Sequence, residues 1–231
     1  MASGAVHSKS SVITATLVGL MAWGLMAPSA AYATAFTIDL DFEFSGATAP
    51  EGATPWASAT FDDSFGGANT VRLTLTTQNL VDTEFLSDWY FNFDPTLDAT
   101  LLSISAVDVD DLNNAAWSAS TGTNLFQADG DGKFDIAFDF PPPPGAFTKK
   151  FTGGEELIFD LTYTSAISAS SFDFQSEEGG GQGTYASAAH VQGIGALGAD
   201  SGWIGPVVPE PSTGLLLGLG LLSLVVHRRR R

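Results

Sequence analysis

The stretch FTIDLDFEF, residues 36–44, alternates without interruption between apolar and polar side chains. Its apolar positions are Phe36, Ile38, Leu40, Phe42 and Phe44. Successive side chains of an extended strand point to opposite faces, so a period of two places these apolar groups together. The stretch therefore predicts a β-strand that buries one face and leaves its acidic face in water.

The same alternation recurs along the chain. It is clear in residues 71–75, 89–93, 134–140 and 157–163, and shorter or weaker in residues 101–109, 171–175, 147–151 and 185–191. Gly, Pro, Asn and Asp fill the gaps, and no stretch between residues 34 and 206 shows the apolar stripe of a helix. We predict an all-β domain of eight or nine short antiparallel strands, folded as a two-sheet antiparallel sandwich with a jelly-roll-like topology.

The charge of the 231-residue chain is −17 and is unevenly distributed. Residues 34–211 hold all 26 acidic side chains but only four basic ones, which gives this part a net charge of −22. So acidic a domain repels phosphate backbones, which argues against a nucleic-acid partner.

The chain has no Cys, and His190 is the one His between residues 34 and 211. These absences exclude disulfides, a Cys nucleophile, Cys-ligated zinc and a lipid-modified Cys anchor. A metal centre built from several His side chains is excluded from the domain for the same reason.

Residues 1–33 have the pattern of a secretory signal peptide. His7 and Lys9 give a basic start, residues 12–27 are apolar, and Ala31 and Ala33 offer the small side chains that signal peptidase accepts. We predict a signal-peptide helix cleaved after Ala33. The alternative, an uncleaved anchor, is less favoured because a membrane span needs about 20 apolar residues.

The C-terminal residues 207–231 combine three features in a fixed order. Pro209, Glu210 and Pro211 come first, an apolar helix is predicted over residues 212–227, and a basic cluster closes the chain. The cluster consists of Arg228, Arg229, Arg230 and Arg231. Such a helix would be about 24 Å long, shorter than the ~30 Å hydrocarbon core. With its arginines held on the cytoplasmic side, it predicts a stop-transfer transmembrane helix that anchors the protein transiently; a plain single-span anchor is the alternative.

This tail, VPEPSTGLLLGLGLLSLVVHRRRR, resembles the PEP-CTERM tail of exported bacterial proteins. The resemblance implies that exosortase, a membrane-bound Cys protease or transpeptidase, recognises Pro209, Glu210 and Pro211 and removes the helix. It also implies export through the inner membrane, then delivery to the cell surface or to an extracellular matrix rich in exopolysaccharide. The chain thus divides into a signal peptide (1–33), an ectodomain (34–206) and a sorting tail (207–231).

Three further segments are similar to a recurrent ectodomain of PEP-CTERM proteins that has no assigned activity. They are ADGDGKFDIAFDFP at 128–141, AAHVQGIG at 188–195 and SGWIG at 201–205. This resemblance implies a single domain and supplies no catalytic residue.

The acidic turn at residues 129–135 is the strongest candidate for a metal site. Asp129, Asp131 and Asp135 offer carboxylates on a glycine-rich turn, and calcium prefers hard oxygen ligands. The EF-hand pattern fails, since Phe134 and Phe140 occupy positions where that loop needs Gly and Glu. An ordinary hairpin turn explains the Asp-Gly pairs as well, so calcium and a plain turn both stay open.

The other candidate functional residues are weaker, because ordinary structural roles explain them as well. A second acidic cluster at residues 108–114 is typical of a solvated strand end, and His190 is typical of a rim side chain with one hydrogen bond. A sugar-stacking platform or core packing explains the aromatic side chains equally well. These are Trp56, Trp89, Tyr90, Trp117, Tyr185 and Trp203.

The sequence shows no catalytic motif. We therefore expect an exported, non-enzymatic surface or matrix protein with a structural or carbohydrate-associating role and no cofactor, unless the acidic turn binds calcium. Exosortase and signal peptidase are its expected processing partners, and exopolysaccharide is its expected ligand. Two alternatives stay open, a divergent glycan-active enzyme on a jelly-roll scaffold and a calcium-stabilised adhesin.

Overall fold

The structure is a computed structural model that describes Met1 and residues 34–112, 116–141, 150–181 and 183–207. These residues form twelve strands: β1 Ala35–Leu40, β2 Phe42–Glu43, β3 Ala57–Asp62, β4 Thr70–Thr76, β5 Phe85–Phe91, β6 Ser103–Asp108, β7 Ser118–Ala128, β8 Asp131–Asp139, β9 Phe151–Thr152, β10 Glu156–Thr162, β11 Ser187–Ile194 and β12 Asp200–Gly205. Short 3₁₀ helices lie at Ala99–Leu101, Asp110–Leu112 and Ala169–Phe172.

The strands pair antiparallel in two sheets. Sheet A has the order β1-β3-β4-β10-β6, and sheet B has the order β2-β12-β11-β5-β8-β7, with β9 added beside β5. The predicted all-β, two-sheet antiparallel class is therefore confirmed. The jelly-roll topology is not confirmed by this strand order, and the predicted terminal helices lie outside the described residues.

A single apolar core joins the sheets. Phe61 of sheet A meets Phe91 of sheet B edge to face, with ring centroids 5.5 Å apart, and Phe138 lies 4.8 Å from Phe159 across the same interface. All of these rings are fully buried. Aromatic contacts of this kind stabilise a pair by about 0.5–1.5 kcal/mol beyond the area they bury.

The stretch 36–44 is not one strand, which corrects the opening prediction. β1 ends at Leu40 in sheet A, and the chain crosses at Asp41 to form β2 against β12 in sheet B. The Asp41 N–H donates to the Gly205 carbonyl at 3.1 Å, which fixes the crossing. Ile38 and Leu40 are buried as predicted. Beyond the crossing Phe42 is 47% exposed, whereas Phe44 is buried.

Three strands had no sequence prediction. β3 is rich in small residues, β7 is mostly polar at the edge of sheet B, and β12 lies in the Gly-rich stretch. The strand predicted at 171–175 is wrong, because its first residues belong to the 3₁₀ helix Ala169–Phe172. Phe172 is nevertheless buried, so an apolar residue there marks core contact rather than an extended backbone.

Candidate functional site

The outer face of sheet B carries a row of side chains across four neighbouring strands. His190 of β11 lies directly opposite Trp203 of β12 on one side and Asp88 of β5 on the other. Asp88 in turn lies opposite Asp139 of β8. Directly opposed residues of antiparallel strands share a face, so we name Trp203, His190, Asp88 and Asp139 the cross-strand row.

Aromatic rings cover the surface beside this row. The His190 ring stacks on Trp203 with centroids 4.8 Å apart and an interplanar angle of 15°. Tyr90 lies 5.3 Å from Trp203 and 6.0 Å from Phe126, again centroid to centroid. All of these side chains are partly exposed. They rest on a small buried cluster on the outside of sheet B, formed by Phe44, Ala128, Phe134, Tyr185 and Ala188.

Ser87, Asp88 and His190 meet, but their geometry is not that of a nucleophilic triad. The Ser87 hydroxyl donates to Asp88 Oδ2 at 2.7 Å and contacts His190 Nδ1 at 3.1 Å. It also accepts from Gln192 Nε2 at 2.9 Å. Asp88 Oδ2 lies 3.5 Å from the same Nδ1, whereas a triad places the acid and the nucleophile on different ring nitrogens. Ser87 is 3% exposed, so its hydroxyl orients the neighbouring groups and is not available to attack a substrate.

The two carboxylates of the row have pKa values shifted in opposite directions. Burial by itself raises the pKa of Asp88, but hydrogen bonds from His190 and Ser87 outweigh it and leave that pKa below its usual value. Burial and the charge of Asp88 raise the pKa of Asp139. Burial, with the charges of Asp88 and Asp139, also raises the pKa of Tyr90 to about 12. The row therefore presents carboxylate acceptors beside a phenol that keeps its proton at neutral pH.

The predicted calcium turn is placed as a hairpin between β7 and β8. Asp129 is exposed at φ +47° in the turn, and Asp131 is 4% exposed next to Gly181. Asp135 accepts the Phe93 N–H at 2.9 Å and the Asn124 N–H at 2.7 Å. Within the described ranges, no group of three or more His, Cys, Asp or Glu side chains is arranged to hold a metal ion. Calcium at this turn stays a prediction.

The other candidate residues divide between core and surface. Trp89 is fully buried, Trp56 and Tyr185 are almost fully buried, and Trp117 packs against Phe159 at the edge of the core. Tyr90 and Trp203 are the partly exposed members of the predicted platform on the outer face of sheet B, and Tyr185 lies buried in the cluster against which they pack. In the second acidic cluster, Asp108 caps Asp110 and Asp111 accepts the Glu156 N–H, as a solvated strand end would.

The predicted processing residues lie outside the described residues. These are Ala31 and Ala33 at the signal cleavage site, the motif Pro209, Glu210 and Pro211, and the basic cluster Arg228, Arg229, Arg230 and Arg231. No helix in the described part of the chain is long and apolar enough to cross a membrane. The predicted signal helix and sorting helix therefore stay predictions of the sequence.

The described residues form an all-β sandwich whose last strand, β12, ends at Gly205. Residues 207–231 match the family model of the PEP-CTERM protein-sorting motif. The chain is thus a PEP-CTERM domain-containing protein, and the motif implies an exported protein that is held transiently in the membrane by its C-terminal region and processed by exosortase. No curated protein and no solved structure shows a significant match to the chain.

Sequence reasoning missed the cross-strand row as a unit. Alternation along residues 89–93 places Tyr90 on the face of the strand that Trp89 does not occupy, and this pattern alone was enough to predict that Tyr90 lies on the outer face. Asp88 and Asp139 carried no motif, and their approach to His190 depends on the register of β5 against β8 and β11. That register shifts beside His190, and no local sequence pattern reveals such a shift.

Proposed function

We propose that the protein is a non-enzymatic component of the cell surface or extracellular matrix whose sandwich domain associates with polysaccharide through the outer face of sheet B. The observation that carries the proposal is the cross-strand row with its adjoining rings. Partly exposed Trp203 and Tyr90 can stack on the apolar C–H faces of sugar rings. Asp88 and Asp139, beside them, can accept hydrogen bonds from sugar hydroxyls.

The charge of the domain restricts the kind of polysaccharide. Residues 34–211 have a net charge of −22, and the row adds two carboxylates at the binding face itself. A polymer rich in uronic acid or phosphate would be repelled at low salt. We therefore expect neutral or amino-bearing polysaccharides to bind, and acidic ones to bind only when cations screen the repulsion.

Binding can be tested with the exported protein and a panel of neutral, amino-bearing and uronic-acid polysaccharides. Trp203→Ala should weaken binding about tenfold, which corresponds to about 1.4 kcal/mol. Phe65→Ala is the matched control. Phe65 is an aromatic residue that is 41% exposed and lies in the loop between β3 and β4 of sheet A, away from the proposed surface. Equal binding by both variants, or no binding by the unaltered protein, would remove the outer face of sheet B as the contact surface.

A glycan-cleaving activity is the second candidate, because one observation favours it. Asp88 and Asp139 are opposed carboxylates with pKa values displaced in opposite directions, a relation found between the base and the acid of hydrolases. Asp88 and Asp139 are directly opposed on neighbouring strands, which brings their Cβ atoms to about 4.5–5.5 Å, so both carboxyl groups can reach one glycosidic bond, as the pair in a glycosidase must. New reducing ends released by the unaltered protein but not by Asp139→Asn would favour the enzyme over the binding module.

A further inference from the structure

A cavity of about 60 Å³ lies where β5 ends, beside the middle of β7 and the segment 174–177. Its walls come from chain segments far apart in sequence. The polar residues that line it are Asn92, Asp94, Thr123, Asn124, Asp135, Gln175 and Glu177. A volume of this size has room for one cation with one or two waters, because a water molecule occupies about 30 Å³.

Asn92 lines this cavity, and its amide carries an acceptor for which the described residues provide no partner. The residue is 2% exposed, and its Nδ2 donates to the carbonyls of Phe174, Tyr185 and Ala186, each at 2.9 Å. These bonds fix the orientation of the amide, so Oδ1 points away from those carbonyls. Oδ1 is buried and has no hydrogen-bond partner among the described residues. A buried acceptor without a partner destabilises the fold, and a ligand in the cavity removes that penalty.

The charge around the cavity is negative. Asp94, Asp135 and Glu177 line it, and no Lys, Arg or His side chain of the described residues does. Asp135 is 8% exposed, and each of its carboxylate oxygens accepts one backbone N–H. A carboxylate oxygen has more than one lone pair, so Asp135 can bind a cation while it keeps both of these hydrogen bonds.

The donors point to a hard cation. All of them are amide, carboxylate, hydroxyl or carbonyl oxygens, and calcium accepts six to eight such oxygens in irregular geometry, whereas magnesium demands a near-ideal octahedron. No three His, Cys, Asp or Glu side chains in the described part of the chain form a metal site by themselves. The amide oxygen of Asn92 and bound water would therefore have to complete the coordination shell.

We propose that this cavity is a calcium site in which Asn92 Oδ1 and the Asp135 carboxylate are the inner ligands and Asp94 and Glu177 close the outer side. The site differs from the acidic turn predicted from the sequence, because it shares only Asp135 with that turn. An ion here joins the end of β5 and β8 to the segment 174–177, so it stabilises the sandwich at one end.

The test uses the full exported protein, stripped of metal with a chelator and titrated with calcium chloride in a calorimeter. We expect a Kd of about 0.1–1 mM, the range of extracellular calcium modules, and a melting temperature that rises with calcium. Glu177→Gln and Asp94→Asn should each weaken calcium binding at least about tenfold. Both variants should melt with the unaltered protein in chelator, because each keeps the shape of the side chain.

Two matched variants separate this site from its neighbours. Glu178→Gln removes the adjacent carboxylate, which does not line the cavity, and Asp129→Asn removes the exposed acid of the predicted turn. Calcium binding should survive both changes. The proposal is overturned if calcium gives neither heat nor a thermal shift, if binding survives Glu177→Gln and Asp94→Asn, or if Asp129→Asn abolishes it.

Discussion

Asn92 shows how much one side chain can hold together at the scale of a residue. Its single amide nitrogen donates to the carbonyls of Phe174, Tyr185 and Ala186. Those carbonyls belong to the segments before and after the Gly-rich stretch 179–183. Asn92 thus attaches the segment between β10 and β11 to β5 and positions the residues that immediately precede β11.

Replacement of Asn92 by Ala should therefore be costly. The carbonyls of Phe174 and Ala186 would lose their Asn92 donor, and that of Tyr185 would keep only the Ser176 N–H. At about 1 kcal/mol for each lost hydrogen bond, the free energy of unfolding should fall by about 2–4 kcal/mol. Urea denaturation followed by Trp fluorescence measures this loss. Asn69→Ala is the matched control, since Asn69 is exposed and its Nδ2 makes a single 3.2 Å hydrogen bond to Tyr163. Equal losses in the two variants would contradict the fastening role.

The raised pKa of Asp139 predicts a pH-dependent gain from Asp139→Asn. In the folded protein burial and the charge of Asp88 disfavour the ionised form, so ionised Asp139 destabilises the fold at neutral pH. Removing that charge should stabilise the protein at pH 7 by a few tenths of a kcal/mol, as expected for an exposed group. The gain should disappear as the pH falls through the raised pKa toward the ordinary value of 3.8.

Chemical denaturation between pH 3 and pH 7 measures this dependence. Asp88→Asn provides the control background, because it removes the repelling charge. In that background the gain from Asp139→Asn at pH 7 should shrink. A gain of the same size with and without Asp88, or one that grows as the pH falls, would show that repulsion between these carboxylates is not its cause.

At the scale of the strand, β5 and β11 are joined by side chains as well as by their backbone ladder. Trp89 Nε1 donates to Ser187 Oγ at 2.8 Å, and that hydroxyl donates to the Tyr90 carbonyl at 2.9 Å. Trp89 and Ser187 are both fully buried. The hydroxyl therefore satisfies the indole of the core and at the same time holds the backbone beside Tyr90, on the outer face of sheet B.

Ser187→Ala should leave the Trp89 indole N–H buried without an acceptor. The expected loss is about 1–3 kcal/mol in the free energy of unfolding, with a change in Trp fluorescence of the native state. Ser118→Ala, at an exposed position of β7, is the matched control and should change stability by less than about 0.5 kcal/mol. If both variants unfold at the same denaturant concentration, Ser187 does not act as the acceptor described.

The elements also show what sequence alternation can and cannot predict. β4, β8 and β10 alternate between apolar and polar residues, and their predicted bounds differ from the observed ones by at most three residues. β3 has the sequence ASATFD, whose small side chains are buried on both faces, so it has no clear period of two. β12 has Gly202 where any side chain would meet the Thr48 carbonyl, and that reason for a glycine is visible only in three dimensions.

The same distinction applies to the candidate sites. Tyr90 could be assigned to the outer face from sequence alone, since it follows the buried Trp89. The contact between His190 and Trp203 could not, because it needs the pairing of β11 with β12 across a bulge. Asn92 also could not be predicted, because an alternating pattern treats it as a polar residue in water although it is 2% exposed.

At the scale of the whole molecule, the large negative net charge lowers the stability of the folded domain. The acidic domain repels itself, and added salt screens that repulsion over a Debye length of about 10 Å at 0.1 M. We expect the melting temperature to rise by several degrees as sodium chloride increases from low millimolar to about 0.5 M. An uncharged osmolyte at the same osmolality is the control, and a melting temperature that salt leaves unchanged or lowers would contradict the expectation.

The hydrogen bond from the Val207 N–H to Asp41 Oδ1 at 2.9 Å holds Val207, the last described residue, against the sandwich. Only Val208 separates that fixed point from Pro209, so the sorting motif begins within about 7 Å of the folded surface, at no more than ~3.5 Å per residue. Exosortase must then recognise the motif while it almost touches the folded domain, unless β12 first separates from β2 and β11. Because this connection is short, the stability of β12 can determine the rate at which exosortase cleaves the tail. A mutation in the sandwich could therefore impair sorting of a protein that still folds.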